Sequence, residues 1–233
     1  MSMRLIFVML LAASCGPHRI SAQSIDPKVA LELMAVRGEV ARNNDALRPY
    51  TWTEHTEVSV DGSVKSSTAF LCRYDASGEL TRTPLGDPKD EKTPNPVSKR
   101  HSVRAKAGMQ DYIDRAISRI RVYVPPKPES MQYLLQNGGV SLGQAEAGKS
   151  QLRFTHYFEA GDSLLFTYDT ATKALLYAAI ASTLGSPKDP VTLDVVWATL
   201  PDGINHVAST LLKAKRKNVQ VKTWNDTYQK VAN

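Results

Sequence analysis

The chain has 233 residues, 42% of them hydrophobic and 22% charged, a balance that suits one domain with a real core and excludes a disordered or low-complexity chain. Its net charge is +6; losing Arg4 and Arg19 with a leader would leave about +4, which is mild. Such a charge reads as ordinary solubility, then as an anionic lipid or acidic partner, and it argues against nucleic acid.

Met-Ser-Met-Arg followed by "LIFVMLLAA" is a cationic start and a short apolar run with a small-residue exit, the pattern of a secretory signal. The run is too short to span a bilayer, and no later segment approaches the ~20 apolar residues of a membrane helix. Two cuts are open in "LLAASCGPHRISAQS". One places a lipid on Cys15; the other falls after Ala22 and leaves the protein unanchored. Ala12 stands where a large aliphatic residue usually precedes a lipidated cysteine, so the cut after Ala22 is favoured. The expected organisation is a signal over 1–22 and a single domain over 23–233. The location is periplasmic or secreted, with a lipid anchor through Cys15 as the alternative. Either cut leaves Cys72 alone, without an intramolecular disulfide. It stands in the strand-like "AFLCRY" and reads as a small buried hydrophobe.

Asp26-Pro27 opens a helix as N-cap and first-turn proline. Val29, Leu33, Val36 and Val40 continue it at helical spacing, and "RNND" is expected to loosen it. From Tyr50 the period becomes two. Tyr50, Trp52, Val58 and Val60 share one strand face, and Asp61-Gly62 marks a hairpin. "VKSSTAFLCRY" and "ELTRTPL" complete a three-strand meander. "GDPKDEKTPNPVS" (86–98) is a surface loop. A long helix follows, with the apolar stripe Met109, Ile113, Ala116, Ile117, Ile120 and Val124. Its other positions carry Arg104, Arg115, Arg119 and Arg121, candidates for a basic surface towards headgroups or a partner; a solvated face is the simpler reading. "PPKP" stops the helix and "ESMQYLLQN" forms a shorter one. Strands are then predicted near 150–158, 162–169, 173–184, 190–200, 204–213 and 217–224.

Nine or ten antiparallel strands must curl because strands twist, and the helices are the available lid. The predicted class is therefore α+β: a strongly curved, unclosed half-barrel with an N-terminal helix and two central helices over its mouth. Phe154 and Phe158 are expected to share one face. Phe166 and Tyr168 share another with Leu164, and Trp197 shares a third with Val191, Leu193 and Val195. Trp52, Phe154, Phe158, Phe166, Tyr168 and Trp197, with Met109, Ile113 and Ile120 of the long helix, are the candidate cavity residues.

No motif for a nucleophile elbow, a zinc protease or a phosphate loop is found. His55 and Glu57 share a strand face, but two ligands do not complete a metal site; neither metal nor cofactor is predicted. Glu54 shares the apolar face with Trp52 and is expected to pair with an arginine across the sheet.

The stretches "YTWTEHTEVSVDGSVKSSTAFLCRYDASGEL", "YFEAGDSLLFTYDTATKAL" and "VTLDVVWATLPDGINHVAST", in this helix–strand order, resemble the periplasmic lipoprotein-localisation (LolA/LolB-like) superfamily. They are also similar to a group of secreted bacterial proteins of the same pattern. The resemblance implies an unclosed barrel with a helical lid and a hydrophobic cavity for acyl chains. Neither a lid-locking arginine nor a protruding apolar loop of that family is matched here. The expected function is non-catalytic binding of a lipid, a lipidated protein or another hydrophobic ligand by a monomer that contacts a membrane surface or another envelope protein. A filled-core interaction or stress-sensing module is the alternative, and a hydrolase the third.

Overall fold

A computed structural model describes residues 26–86 and 99–231, with side chains from 107 onward in the second segment. The expected signal over 1–22, Cys15, nearly all of the expected loop 86–98 and the Arg104 side chain lie outside the described residues.

The first helix, α1 (Pro27–Ala46), begins where Asp26 accepts from the Lys28 amide at 2.8 Å. It buries Val29, Leu33 and Val36. The expected loosening at "RNND" does not occur. The Asn43 side chain donates to the Glu39 carbonyl and accepts from the Asn205 amide, at 2.9 and 2.6 Å. That cross-link to the sheet holds the last turn.

β1 (Tyr50–Val60) and β2 (Ser63–Tyr74) join through Asp61 and Gly62, with φ of 50° and 74°. Both central residues of a tight hairpin of this twist need positive φ, which aspartate tolerates and glycine adopts freely. β3 (Leu80–Pro84) completes the meander. The central helices are α2 (Lys99–Arg121) and α3 (Pro128–Gln136). After α3 the backbone of Gly139 packs so closely that a Cβ there would lie 2.7 Å from Leu134.

Seven strands follow: β4 (Val140–Glu146), β5 (Lys149–Thr155), β6 (Ser163–Asp169), β7 (Leu175–Thr183), β8 (Pro190–Thr199), β9 (Asn205–Ala214) and β10 (Val219–Lys230). The sheet order is β3-β2-β1-β10-β9-β8-β7-β6-β5-β4, antiparallel throughout. The one non-sequential neighbour pair, β1 with β10, joins the early meander to the late one. The result is a ten-strand unclosed antiparallel sheet with three helices, of class α+β.

β4 escapes the sequence pattern because it is an edge strand with polar residues and Gly143 in place of alternation. β10 runs six residues past its expected end, since Tyr50 pairs with Lys230 and β1 needs that full length of partner.

The core lies between helices and sheet. Leu33 and Val36 of α1, Tyr112, Ala116 and Ile120 of α2, and Met131 and Leu134 of α3 meet Leu152, Phe154, Leu164, Ile180 and Val191 of the sheet. Burying such side chains contributes about 1.5–3 kcal/mol each relative to exposure. Buried tyrosines add directional ties. Tyr112 of α2 donates to Asp189 at 2.6 Å. Tyr123, just after α2, donates to Asp162 and reaches Ser182 at 3.0 Å. α2 is thus fastened at its middle and just beyond its C-terminal end to the turns that lead into β8 and β6.

Candidate functional site: two adjoining chambers

Strand register lays down two apolar rows across the sheet. One runs Leu152, Phe166, Ala178, Val195, Thr210 from β5 to β9; its neighbour runs Leu164, Ile180, Leu193 from β6 to β8. They form the floor of a cavity of about 440 Å³. Leu33, Val36 and Val40 of α1 form its roof. Tyr123, Val124, Pro125 and Pro126 of the α2–α3 connector, with Met131 of α3, close one end. Arg37, Asn44 and Thr210 are the polar side chains in an otherwise apolar wall.

A second chamber of about 550 Å³ adjoins it over β3, β2, β1, β10 and β9. Val40, Asn44, Val124, Pro125, Leu175, Trp197, Val207 and Thr210 line both. Its own wall is mixed. Trp52 lies between Tyr228, stacked at 5.7 Å, and Tyr74 at 5.6 Å. The Arg82 Nε donates to Glu54 Oε1 at 2.8 Å, and the Glu54 side chain is only 15% exposed; this is the cross-sheet arginine partner expected for Glu54. His206 packs on Tyr228 at 4.3 Å and is 7% exposed. Burial pushes its pKa down, so the ring is neutral near pH 7.

Phe166 and Trp197 line the first chamber, and Trp197 and Trp52 line the second. Phe154 is wholly buried, edge-on to Tyr157 and Phe166, and serves as core beneath the cavity. Tyr168 is also fully buried, with its hydroxyl on Glu32. Ile113 and Ile120 are buried core residues and Met109 packs beside them; all three sit away from either chamber. Phe158 does not share a face with Phe154. β5 ends at Thr155, His156 takes φ of 57°, and the broken alternation leaves Phe158 56% exposed beneath the Arg119 guanidinium at 5.5 Å.

The arginines of α2 divide similarly. Arg119 is tied to Glu159 at 2.7 Å with 17% side-chain exposure, a structural pair more than a free basic group. Arg115 pairs with Asp111 one turn away at 3.3 Å and lies over Tyr112. Arg121 is exposed. The basic turn 215–217 is also engaged: Arg216 faces Asp189 at 3.5 Å, and Lys217 donates to the Gly108 carbonyl at 3.0 Å. His55 stacks on Trp224 at 4.9 Å and faces Asp226 at 3.3 Å. Among the described residues no three His, Cys, Asp or Glu side chains converge as metal ligands would, and no helix is long and apolar enough to cross a membrane.

The roof residues Val36 and Val40 and the connector prolines were missing from the candidate set. The valines carried a signal in their helical spacing. The connector carried none, since its role follows from where α2 ends.

No family model and no curated protein matches the chain. Among solved structures it is similar to a DUF1329 family protein from Desulfovibrio piger, with a TM-score of 0.43 at 10% identity over 87% of this chain and 92% of that one. It is also similar to a LolA superfamily protein from Nitrosomonas europaea, with a TM-score of 0.39 at 7% identity over 85% of this chain and 94% of that one. The chain thus has structural similarity to a LolA superfamily protein and to a DUF1329 protein at low sequence identity.

Proposed function

We propose that this is a non-catalytic binding protein for an acyl chain or comparable hydrophobic ligand, held between α1 and the floor of β5–β9. The observation that carries the reading is the apolar chamber. Its volume of about 440 Å³ lies within the ~300–1,000 Å³ of small-molecule sites. Its wall is aliphatic and aromatic, with few polar side chains. Apolar surface of this kind gains free energy by meeting a ligand's hydrocarbon and losing contact with water. A filled core would leave no such space. The leader-like residues 1–22 support export of the chain, and an exported carrier or receptor for lipid or lipidated protein is the setting in which we place it.

Native mass spectrometry of protein exported and gently purified from its own host tests this. An adduct of lipid mass, lost on denaturation, is the expected result. A ligand-free chain that also fails to bind brominated acyl chains would overturn it. Trp197 lines the chamber, so bound bromine quenches its fluorescence, and Trp197→Phe removes that part of the signal from a chain with three tryptophans.

A further inference from the structure

The apolar chamber has a closed floor and an open rim. Leu152, Leu164 and Ile180 of the floor are 0%, 1% and 2% exposed. The lining residues that also meet solvent are Arg37, Ala41 and Asn44 of α1, with Val124, Pro125 and Pro128 of the connector and the start of α3. These six mark its mouth. Arg37 is the one charged side chain among the described residues of the chamber wall. The three carboxylates of α1 are engaged without it: Glu32 with Lys173, Glu39 with Arg42 and Asp45 with Arg48. No carboxylate pairs with Arg37 among the described residues. The positions three and four residues away, where a helical partner would stand, are Leu33, Met34, Val40 and Ala41. Arg37 is thus a cation set among apolar side chains at the mouth of an apolar chamber, with no ion pair of the fold to account for it.

We propose that Arg37 receives the anionic head, a carboxylate or a phosphate monoester, of a single-chain amphiphile whose tail lies on the chamber floor. The inference rests on the acyl-chain reading of this chamber and adds head-group specificity to it. The orientation follows from the cost of burying charge. An anion placed against Leu152, Leu164 and Ile180 would lose its hydration with no polar partner in return, so the tail goes to the floor and the head to the rim. There the planar guanidinium presents paired N–H donors that match carboxylate or phosphate oxygens. Asn44 stands seven residues on, on the same side of α1, and adds an amide donor to the mouth. A neutral head forgoes the charged pair, and a cationic head meets a like charge. The ligand class is therefore an anionic amphiphile in preference to a neutral ester or alcohol.

The test measures dissociation constants of the purified protein for laurate, dodecyl phosphate and 1-dodecanol by titration calorimetry, at about pH 8, where carboxylates are ionised. Arg37→Gln should weaken laurate and dodecyl phosphate about fivefold, as expected of a solvent-exposed charged pair, and leave 1-dodecanol unchanged. Arg37→Lys keeps the charge without the fork and should fall between the two. Added salt should weaken the anions in the wild type and have less effect on them in Arg37→Gln. Arg37 is exposed, so both variants should fold, which circular dichroism checks. Anion binding unchanged by Arg37→Gln overturns the proposal, and so does an equal loss of all three ligands, which would make Arg37 a packing residue. A loss of the anions in Arg82→Gln but not in Arg37→Gln also overturns it, because the head then sits in the second chamber. If none of the three binds the wild type, the acyl-chain reading itself fails and takes this inference with it.

Discussion

The Tyr168 hydroxyl donates to Glu32 Oε2 at 2.9 Å, and Lys173 reaches the same carboxylate oxygen at 2.9 Å. One carboxylate of α1 is thereby held by the β6 strand and by the turn that follows it. The roof of the apolar chamber is anchored through this side chain near its start and through Asn43 in its last turn, as well as by packing. Tyr168→Phe should lower unfolding stability by roughly 1.5–3 kcal/mol, the usual worth of a hydrogen bond to a charged group. Urea denaturation measures it.

The same carboxylate gives an acid dependence of known sign. The Lys173 hydrogen bond holds the Glu32 pKa below its ordinary value, with burial opposing and Tyr168 adding to the effect. An unfolded glutamate titrates near ~4.3. Its contribution is fully present above that pH and is lost as pH falls through the lower folded value. Glu32→Gln should flatten the acid limb of a stability–pH curve. An unchanged limb would show that the anchor carries no stability.

At the alkaline end the sign reverses. Burial, reinforced by a carboxylate acceptor in each case, pushes Tyr112, Tyr168 and Tyr177 up to about 12. Unfolded tyrosine titrates near ~10. The stability these groups contribute is present below that pH and is lost as pH rises through the folded values. Unfolding stability should therefore drop between roughly pH 10 and 12, and Tyr112→Phe should make the fall shallower. The same variant leaves the buried Asp189 carboxylate without its hydroxyl donor, with Arg216 at 3.5 Å as its ion pair among the described residues, and should cost about 1–3 kcal/mol at neutral pH.

Ala178 stands in the middle of the chamber floor, between Phe166 and Val195. Ala178→Phe should fill the cavity and weaken acyl-ligand binding at least tenfold, about the 1.4 kcal/mol that a lost methylene or two would forfeit. Empty space receives the new ring, so stability should change by less than the ~1–3 kcal/mol typical of overpacking. Ala179→Phe, one residue along and on the opposite face, should leave binding intact. Equal effects of the two would place the ligand elsewhere.

Cys72 is 0% exposed, and burial raises its thiol pKa. The thiolate is the reactive form, so aromatic disulfide reagents should label it only when the strand opens. The labelling rate should track denaturant in step with global unfolding.

Much of this architecture was legible because local chemistry and global fold agree. Asp26-Pro27 starts the first helix and Asp61-Gly62 turns the first hairpin, each for reasons contained in a few residues. The alternation of Leu164, Phe166 and Tyr168, and of Val191 to Trp197, gave the inward faces of β6 and β8 correctly. Phe158 misled because a positive φ at His156 interrupts the alternation, and histidine is no strong signal for that. The α2 stripe was read correctly from Met109 to Ile120, but Val124 lies beyond the helix end at Arg121, 45% exposed in the connector beside the chambers. What the stripe packs against is decided by tertiary geometry, so Ile113 and Ile120 fill the core instead of facing the cavity. The second chamber was invisible for a further reason. Trp52, Arg82, His206 and Asn225 come from four strands, and only the pairing of β1 with β10 brings them together.

That pairing has a consequence for how the chain acquires its shape. Tyr50 and Lys230 meet in one ladder across most of the sequence. Every other neighbour in the sheet is closed by a short turn or, for β3 and β4, has no second neighbour at all. Contacts of such long sequence separation slow folding, since the intervening chain must be ordered before they are made. While the chain is being made or moved, β1 therefore waits with a bare hydrogen-bonding edge beside a largely exposed β2. An unpaired edge of that kind recruits other strands. Holding it apart until residue 230 is free is the natural task of a chaperone, and a chain truncated before β10 should aggregate where the full chain does not.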